Sequence, residues 1–292
     1  MTYQPIIVGV DGSPSSGSAL RWAALEAATH HVPLHIVNSC ADPRGYAATI
    51  AEAAFDRTPL QAAARKVLAR ATTDVAAHTA AVESPEVKTI LSDDPAVPTL
   101  IDLSNGARMV VVGSRGLGAF KRGLLGSVST AVARHAHCPV AVIHEQDTDE
   151  DLRSKKPVVV GVDGTRNSER AIEIAFDEAS HRNCDLVALH AWADTSDFDY
   201  QLADWPDAAG AAEATLAESL AGWQEKFPDV SVRRIAVRNH PRRHLAEQAA
   251  DAAVVVVGSH GRGGFAGLLL GSVSQALLHT VSCPLIIARG PA

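Results

Sequence analysis

One glycine pattern occurs twice in this chain: Gly113-x2-Gly116-x9-Gly126-Ser127 and, 145 residues on, Gly258-x2-Gly261-x9-Gly271-Ser272. Each copy follows four apolar residues, Met109-Val110-Val111-Val112 or Val254-Val255-Val256-Val257. Each runs into a helical-looking segment that opens Ser-Val-Ser. A strand, a glycine-rich loop and a helix opened by Ser make a recipe for holding phosphate. Glycines let the backbone approach a ligand, and the N–H groups and positive end of the helix face the anion. A single copy is a weak signal. Two copies at one spacing, in one context, are a strong one.

The repeat extends over nearly the whole chain. Ile6-Ile7-Val8-Gly9-Val10-Asp11-Gly12 matches Val158-Val159-Val160-Gly161-Val162-Asp163-Gly164 at an offset of 152. Cys138-Pro139-Val140 matches Cys283-Pro284-Leu285 at an offset of 145, so the second copy is seven residues shorter. The charged stretch from His144 to Pro157 reads as the connection. Two domains of ordinary size are expected, 1–146 and 157–292, around a linker at 147–156.

Within each copy, apolar strands alternate with helices. The first copy is expected to run strand Ile6–Val10, helix Ser15–His31, strand Leu34–Asn38, helix Leu60–Thr79 and strand Val87–Leu91. A helix from near Pro95, strand Met109–Val112, helix Val128–Ala136 and strand Val140–Ile143 follow. The second copy repeats this with strands Val158–Val162, Leu186–His190, Val230–Val237, Val254–Val257 and Leu285–Ala288. Its helices are expected over Asn167–Arg182, Ala208–Phe227, from near Pro241, and over Val273–Val281. Near-continuous apolar strands alternating with helices imply α/β domains, each a parallel sheet covered on both faces.

In such sheets ligands lie beyond the carboxyl ends of the strands where the winding direction reverses. The first and fourth strands are the natural neighbours there, so Asp11 should face the Gly113 loop and Asp163 the Gly258 loop. A carboxylate beside phosphate needs a divalent cation between them, or a sugar hydroxyl to bond. Alternatively Asp11 and Asp163 form Asx-turns or cap the following helix.

Composition narrows the classes. The chain is 47% hydrophobic and 20% charged, as expected of a soluble globular protein. Its formal net charge of −7 argues against broad nucleic-acid binding. No apolar stretch approaches the roughly 18 residues a membrane span requires. The N-terminus lacks a basic-then-apolar leader, so a cytoplasmic location is expected. Four cysteines in 292 residues form no disulfide framework, and Cys138 and Cys283 read as small buried hydrophobes.

Other chemistries lack their signatures. There is no G-x-G-x-x-G after the first strand, no G-K-[S/T], no G-x-S-x-G and no H-E-x-x-H. His135-Ala136-His137-Cys138 suggests a metal set, but its counterpart Thr280-Val281-Ser282-Cys283 keeps only the Cys. His240 and His244 have i, i+4 spacing, yet their counterparts are Pro95 and Thr99, so they read as helix-start and surface residues.

The doubled glycine motif, the opening strand that ends Val-Asp-Gly-Ser and the closing Cys-Pro-Val strand resemble the tandem universal stress proteins. They are most similar to the ATP-binding class found in mycobacteria and related actinobacteria. The resemblance covers essentially the whole chain. It implies two tandem Rossmann-like domains of the adenine nucleotide alpha hydrolase-like kind, each a five-stranded parallel sheet flanked by helices. It also implies ATP at the switch point and pairing of the domains through their last strands, an intra-chain pseudo-dimer.

Carried over by position, Asp11 would contact the ribose or a metal, with Gly12 in the same turn, and the Ser39 backbone would meet adenine. Val10, Val112 and Gly113 would line the site. Gly116, Gly126, Ser127, Val128 and Ser129 would hold ribose and phosphates. The matching second set is Val162, Asp163, Gly164, Ala191, Val257, Gly258, Gly261, Gly271, Ser272, Val273 and Ser274. Magnesium is expected with the phosphates, through Asp11 and Asp163. The loop cations Arg115, Lys121, Arg122, His260 and Arg262 read as solvated residues, with phosphate contact as the alternative.

The copies also differ. The second strand ends in Asn38 in one and His190 in the other, and the segment after His190 is acidic and aromatic, from Trp192 to Tyr200. If that segment folds over the site it would disfavour triphosphate unless metal is present, so unequal affinities are expected. Two function classes follow: a nucleotide-dependent sensor with an unidentified protein partner, or a slow ATPase or nucleotidyl transferase. An interaction scaffold without nucleotide is the third. Catalysis would need a positioned base or electrophile beside the phosphates. The chain offers only Asp11 and Asp163, which favours the sensor and a non-enzymatic role. Paired within the chain, the edges of the last strands make a pseudo-twofold dimer, and two chains are expected to associate further as a homodimer.

Overall fold

Ile6–Gly9 (β1) is built from apolar residues that the fold removes almost wholly from water, with Ile6 and Val8 fully buried. Each such side chain contributes about 1.5–3 kcal/mol to the core. The computed structural model describes residues 4–41, 57–117, 125–145, 155–192, 205–261 and 270–289. The chain divides into two compact units. One is Met1–Cys138 with Ile143–Glu145; the other is Pro139–Val142 with Gln146–Ala292.

In the first unit β1 is flanked in parallel by β2 (Leu34–Ser39) and β4 (Met109–Gly113), while β3 (Val87–Ser92) pairs outside β2. The order is therefore β3-β2-β1-β4, with the reversal between β1 and β4. The register sets Ile6 beside Leu34 on one side and Met109 on the other.

Helix α1 (Pro14–Thr29) starts where Ser13 accepts a hydrogen bond from Ser16 N at 3.2 Å, with Pro14 in its first turn. Its Ala19, Ala23, Ala24 and Ala27 are fully buried at helical spacing, so the helix lies close against the sheet. Helix α2 (Thr58–His78) buries one stripe, Ala64, Leu68, Ala71 and Val75. Helices α3 (Ala96–Ser104) and α4 (Ser127–His135) flank β4 in sequence. Arg134 and His135 in the last turn of α4 suit its negative end. Strand β5 is Val140–Ile143.

The second unit repeats the plan. Strand β6 (Val158–Val162) pairs in parallel with β7 (Leu186–Ala191) and β9 (Val254–Gly258), and β8 (Val232–Val237) pairs outside β7. Strand β10 (Leu285–Ala288) is parallel to β9 and antiparallel to β5, with Ile286 opposite Ala141. The helices are α5 (Arg166–Arg182), α6 (Trp205–Leu220), α7 (Trp223–Lys226), α8 (Pro241–Ala249) and α9 (Ser272–Thr280).

Apart from shifts of up to three residues at element ends, such as β8 beginning at Val232 rather than Val230, the observed elements differ from the expected ones in two ways. The helix expected over Ala208–Phe227 is two helices, α6 and α7. Gly222 between them has φ of 76°, a left-handed conformation that ends the first run. Strands β3 and β8 are not buried runs: Lys88 and Thr89, and Arg233 and Arg234, are exposed. Each pairs with one neighbour within its unit, and charge on such a strand discourages further pairing.

Candidate nucleotide site

Where β1 ends, the backbone turns through Gly12 at φ of 83°, and the Asp11 carboxylate closes the turn: Ser13 N donates to Oδ1 at 2.9 Å. This is an Asx-turn. The other oxygen reaches across the switch point, where Leu117 N donates to Oδ2 at 3.0 Å. Asp11 thus serves both as a local turn residue and as a clasp on the glycine loop. Burial by itself would raise the Asp11 carboxyl. Hydrogen bonds from the Ser13 side chain and backbone, from the Leu117 backbone and from Ser16 outweigh it and hold the group below its ordinary value.

The glycines are required by close approach. A Cβ on Gly113 would lie 2.6 Å from the Ser15 carbonyl oxygen, and one on Gly116 would lie 2.7 Å from Asp11 Oδ2. Gly126 N donates to Ser114 O at 2.8 Å and so closes the loop, and Ser129 Oγ donates to Gly113 O at 2.6 Å. Gly126 is the N-cap of α4 in extended conformation and supplies no capping side chain. The first N–H groups of that helix have no intrahelical acceptor.

These elements surround a cavity of about 760 Å³ in the first unit. Val10, Val37, Val112 and Leu100 give it apolar wall, while Gly116, Gly126, Ser127 and Ser129 give it backbone and hydroxyl groups. Asp11, Ser39, Gly113 and Val128 also line it, so ten of the residues singled out in the first copy meet in one place. Gly12 does not line it; its conformation serves the turn, and its α-carbon faces Val67. Ser39 Oγ is engaged with the Asp94 carbonyl at 2.6 Å. Of the loop cations, Arg115 lines the cavity and its guanidinium lies 3.3 Å from Glu145. Lys121, Arg122 and Arg262 lie outside the described residues, as do residues 193–200 of the acidic segment.

Several lining residues had no sequence signal of their own. Leu100 belongs to α3, remote in sequence from both turns, and packs 3.1 Å from where a Cβ on Gly9 would stand. Its counterpart Leu245 packs at 3.2 Å from the same point on Gly161. The shared offset of 145 between these two leucines was the available clue. Asn38, marked in the sequence only by its difference from His190, also lines the cavity: its Nδ2 donates to Val10 O at 2.6 Å, tying the end of β2 to the turn after β1.

The second unit reproduces most of this geometry. Asp163 Oδ1 accepts from Thr165 N at 2.8 Å and from Thr165 Oγ1 at 2.7 Å, and Gly164 turns the chain at φ of 75°. A Cβ on Gly261 would stand 3.2 Å from Asp163 Oδ2. Gly271 N donates to Ser259 O at 2.7 Å, and Ser274 Oγ donates to Ser259 O at 3.2 Å. Val162, Val257 and Ser274 are buried, Gly258 ends β9, and Ser272 and Val273 open α9. Ala191 ends β7 beside Val237. Ser259 Oγ lies 3.1 Å from His260 Nδ1.

The described residues contain no helix long and apolar enough to cross a membrane. Each of the two tandem α/β units carries a glycine loop at the switch point of its sheet, the place where open α/β sheets take their ligands. The profile of the Universal stress protein family matches residues 2–144 and again 155–289, and the chain belongs to that family. A universal stress protein of Mycobacterium tuberculosis is 44% identical over 287 residues, spanning 97% of this chain and 96% of the relative. One from Mycolicibacterium smegmatis is 43% identical over 294 residues, spanning 99% and 98%. Among solved structures, a universal stress protein from Archaeoglobus fulgidus superimposes with a TM-score of 0.68 at 19% identity, covering 98% of each chain. That last likeness speaks for the fold.

Proposed function

We propose that each repeat binds an adenine nucleotide, ATP in the first instance, and that the chain acts as a nucleotide-dependent sensor rather than an enzyme. The observation that carries this is the first-unit cavity. A volume of about 760 Å³ lies within the range of small-molecule sites, and its apolar walls and glycine-loop edge suit a base at one end and phosphates at the other. The residues fit the ligand: the glycines stand where side chains would intrude, and the first turn of α4 presents N–H donors beside Ser127 and Ser129.

In this reading Val10 and Val112 contact the base, the backbone at Ser39 reads its edge, and Asp11 accepts from the ribose. Gly116, Gly126, Ser127, Val128 and Ser129 hold the phosphates. Asp163, Ala191, Val257, Gly258, Gly261, Gly271, Ser272, Val273 and Ser274 do the same in the second repeat. Asp11 suits a ribose hydroxyl better than magnesium, because both its oxygens already accept N–H donors. Magnesium, where bound, is held chiefly by the phosphates themselves.

The described lining of the first-unit cavity offers no strong general base. Among the described residues lining the cavity the titratable side chains are Asp11 and Arg115. A carboxylate held below its ordinary pKa is a weak proton acceptor at neutral pH. Nucleotide ordering the glycine loop, and so changing the surface offered to a protein partner, is the output that remains.

The test is mass spectrometry of the ligand released from purified protein, with stoichiometry per chain. Intact ATP approaching two per chain supports the reading. ADP with sustained phosphate release turns it toward an ATPase. Protein that neither carries nor takes up nucleotide removes it.

A further inference from the structure

The two repeats differ most in charge at one matched place. Residues 232–244 contain five arginines and two histidines and no acid, in a chain of net charge −7. The matched residues 87–99 contain one lysine and two aspartates. In the first unit this segment ends β3 and enters α3, whose Ala96 and Leu100 line the cavity. In the second it ends β8 and enters α8, where Pro241 and Leu245 occupy the corresponding positions.

The placement follows from matched hydrogen bonds. Cys40 N donates to Ser92 O at 2.9 Å in the first unit, and Trp192 N donates to Val237 O at 3.0 Å in the second. Asp93 and Asp94 therefore follow β3 at the carboxyl end of the sheet, and Arg238 and Asn239 follow β8 at the same end. The acidic pair is held in place: Asp93 Oδ1 accepts from Gln61 at 3.0 Å and from Cys40 Sγ at 3.2 Å, and the Asp94 carbonyl accepts from Ser39. In the second unit Arg238, His240, Arg242 and Arg243 are exposed. Glu247 meets Arg243 at 2.8 Å and His244 at 3.3 Å, which offsets part of the positive charge on α8.

We propose that the second repeat holds the polyphosphate-selective site: its arginine rim makes it favour nucleotides with more phosphate groups, whereas the acidic rim of the first repeat does not. This rests on nucleotide binding as described above and adds the ligand class that separates the two sites. The physical basis is field rather than contact. A cationic rim beside a low-dielectric cleft concentrates polyanions over roughly a Debye length, about 10 Å at 0.1 M salt. The advantage grows with ligand charge, so ATP gains more than AMP.

The test uses the full chain with one site disabled at a time. Gly116→Val leaves the second site to report, and Gly261→Val leaves the first. Titration with ATP and with AMP at low salt yields an affinity ratio for each site. The ratio at the second site is expected to exceed that at the first by about tenfold, a typical scale for steering by local charge. The charge reversals Arg238→Glu and Arg242→Glu together should bring the two ratios within about threefold, and raising the salt should shrink the difference in the same direction.

Equal ratios, a ratio that ignores the reversal, or a second site that prefers AMP overturns the proposal. The last outcome is the one expected if the four aspartates of residues 194–204 governed the site instead. Should Gly116→Val fail to fold, the double reversal in the otherwise unaltered chain serves. ATP binding must then weaken in one of two phases while AMP binding stays within about twofold, and an unchanged ATP isotherm overturns the proposal. Absence of binding by both nucleotides to the unaltered chain removes the nucleotide reading itself.

Discussion

At the end of its second strand the first repeat carries Asn38 and the second carries His190, yet the two side chains make corresponding hydrogen bonds. Asn38 Nδ2 donates to Val10 O at 2.6 Å, and His190 Nδ1 meets Val162 O at 2.8 Å. A difference that looks functional in the sequence is a shared structural tie, since each side chain satisfies the carbonyl that precedes the site aspartate. The reverse holds at the rim. Asp93-Asp94 and Arg238-Asn239 follow β3 and β8 at matched positions, yet they carry opposite charge. Between duplicated units, identity of a side chain matters less than the backbone group or field it supplies.

The comparison breaks most readily at the glycine loops. Gly116→Val should weaken nucleotide binding to the first site by about 100-fold or more, because its Cβ would press on the carboxylate that clasps Leu117. Gly261→Val should do the same to the second site with a smaller loss, since the matching gap is 3.2 Å rather than 2.7 Å. Calorimetric titration of each variant reads both numbers, and equal losses would show that the two loops constrain their aspartates alike.

The equivalence of Asn38 and His190 is sharpened by removing each. Asn38→Ala and His190→Ala each strand a buried carbonyl, at a cost of about 1–3 kcal/mol in urea denaturation. A marked difference between the two losses would mean that one residue has a second task.

Acid titration isolates the Asp11 clasp. The Asp11 carboxyl is held below its ordinary value, so its contribution to stability is fully present above the unfolded-state pKa of about 3.9 and is lost as pH falls through the lower folded value. Asp11→Asn should therefore flatten the acid limb of the stability profile below about pH 4. An unaltered acid limb would show that the clasp contributes nothing.

The smallest effect is expected at the helix cap. Gly126→Ser should change stability by only a few tenths of a kcal/mol, because Gly126 is in extended conformation and a Cβ there would meet its neighbours at an ordinary 3.4–3.5 Å. Thermal denaturation checks it, and a large loss would mean that the loop needs bare backbone at that point as it does at Gly113.

Much of the fold was legible because its signals are local. Val158–Val162, Val140–Ile143 and Leu285–Ala288 form strands over the residues that their apolar runs mark, and α1 begins at Pro14, one residue before the expected Ser15, where Ser13 caps it. The break at Gly222 was missed because a lone glycine inside a helical pattern has two outcomes, and here the left-handed one won. The exposure of β3 and β8 was missed because whether a strand has a neighbour on each side is a property of the sheet.

The sequence alone determined the duplication, by direct match of the two copies, and the strand–loop–helix order around each glycine loop, since that order depends on neighbours a few positions apart. Only the tertiary structure decided that Asp11 meets the N–H of Leu117, 106 residues away, that Leu100 walls the cavity under Gly9, and that Asn38 and His190 do one job. It also decided that the charged segments after β3 and β8 lie at the carboxyl ends of their sheets. Those pairings join segments that are far apart in the chain, and only the parallel register of the sheet brings them together.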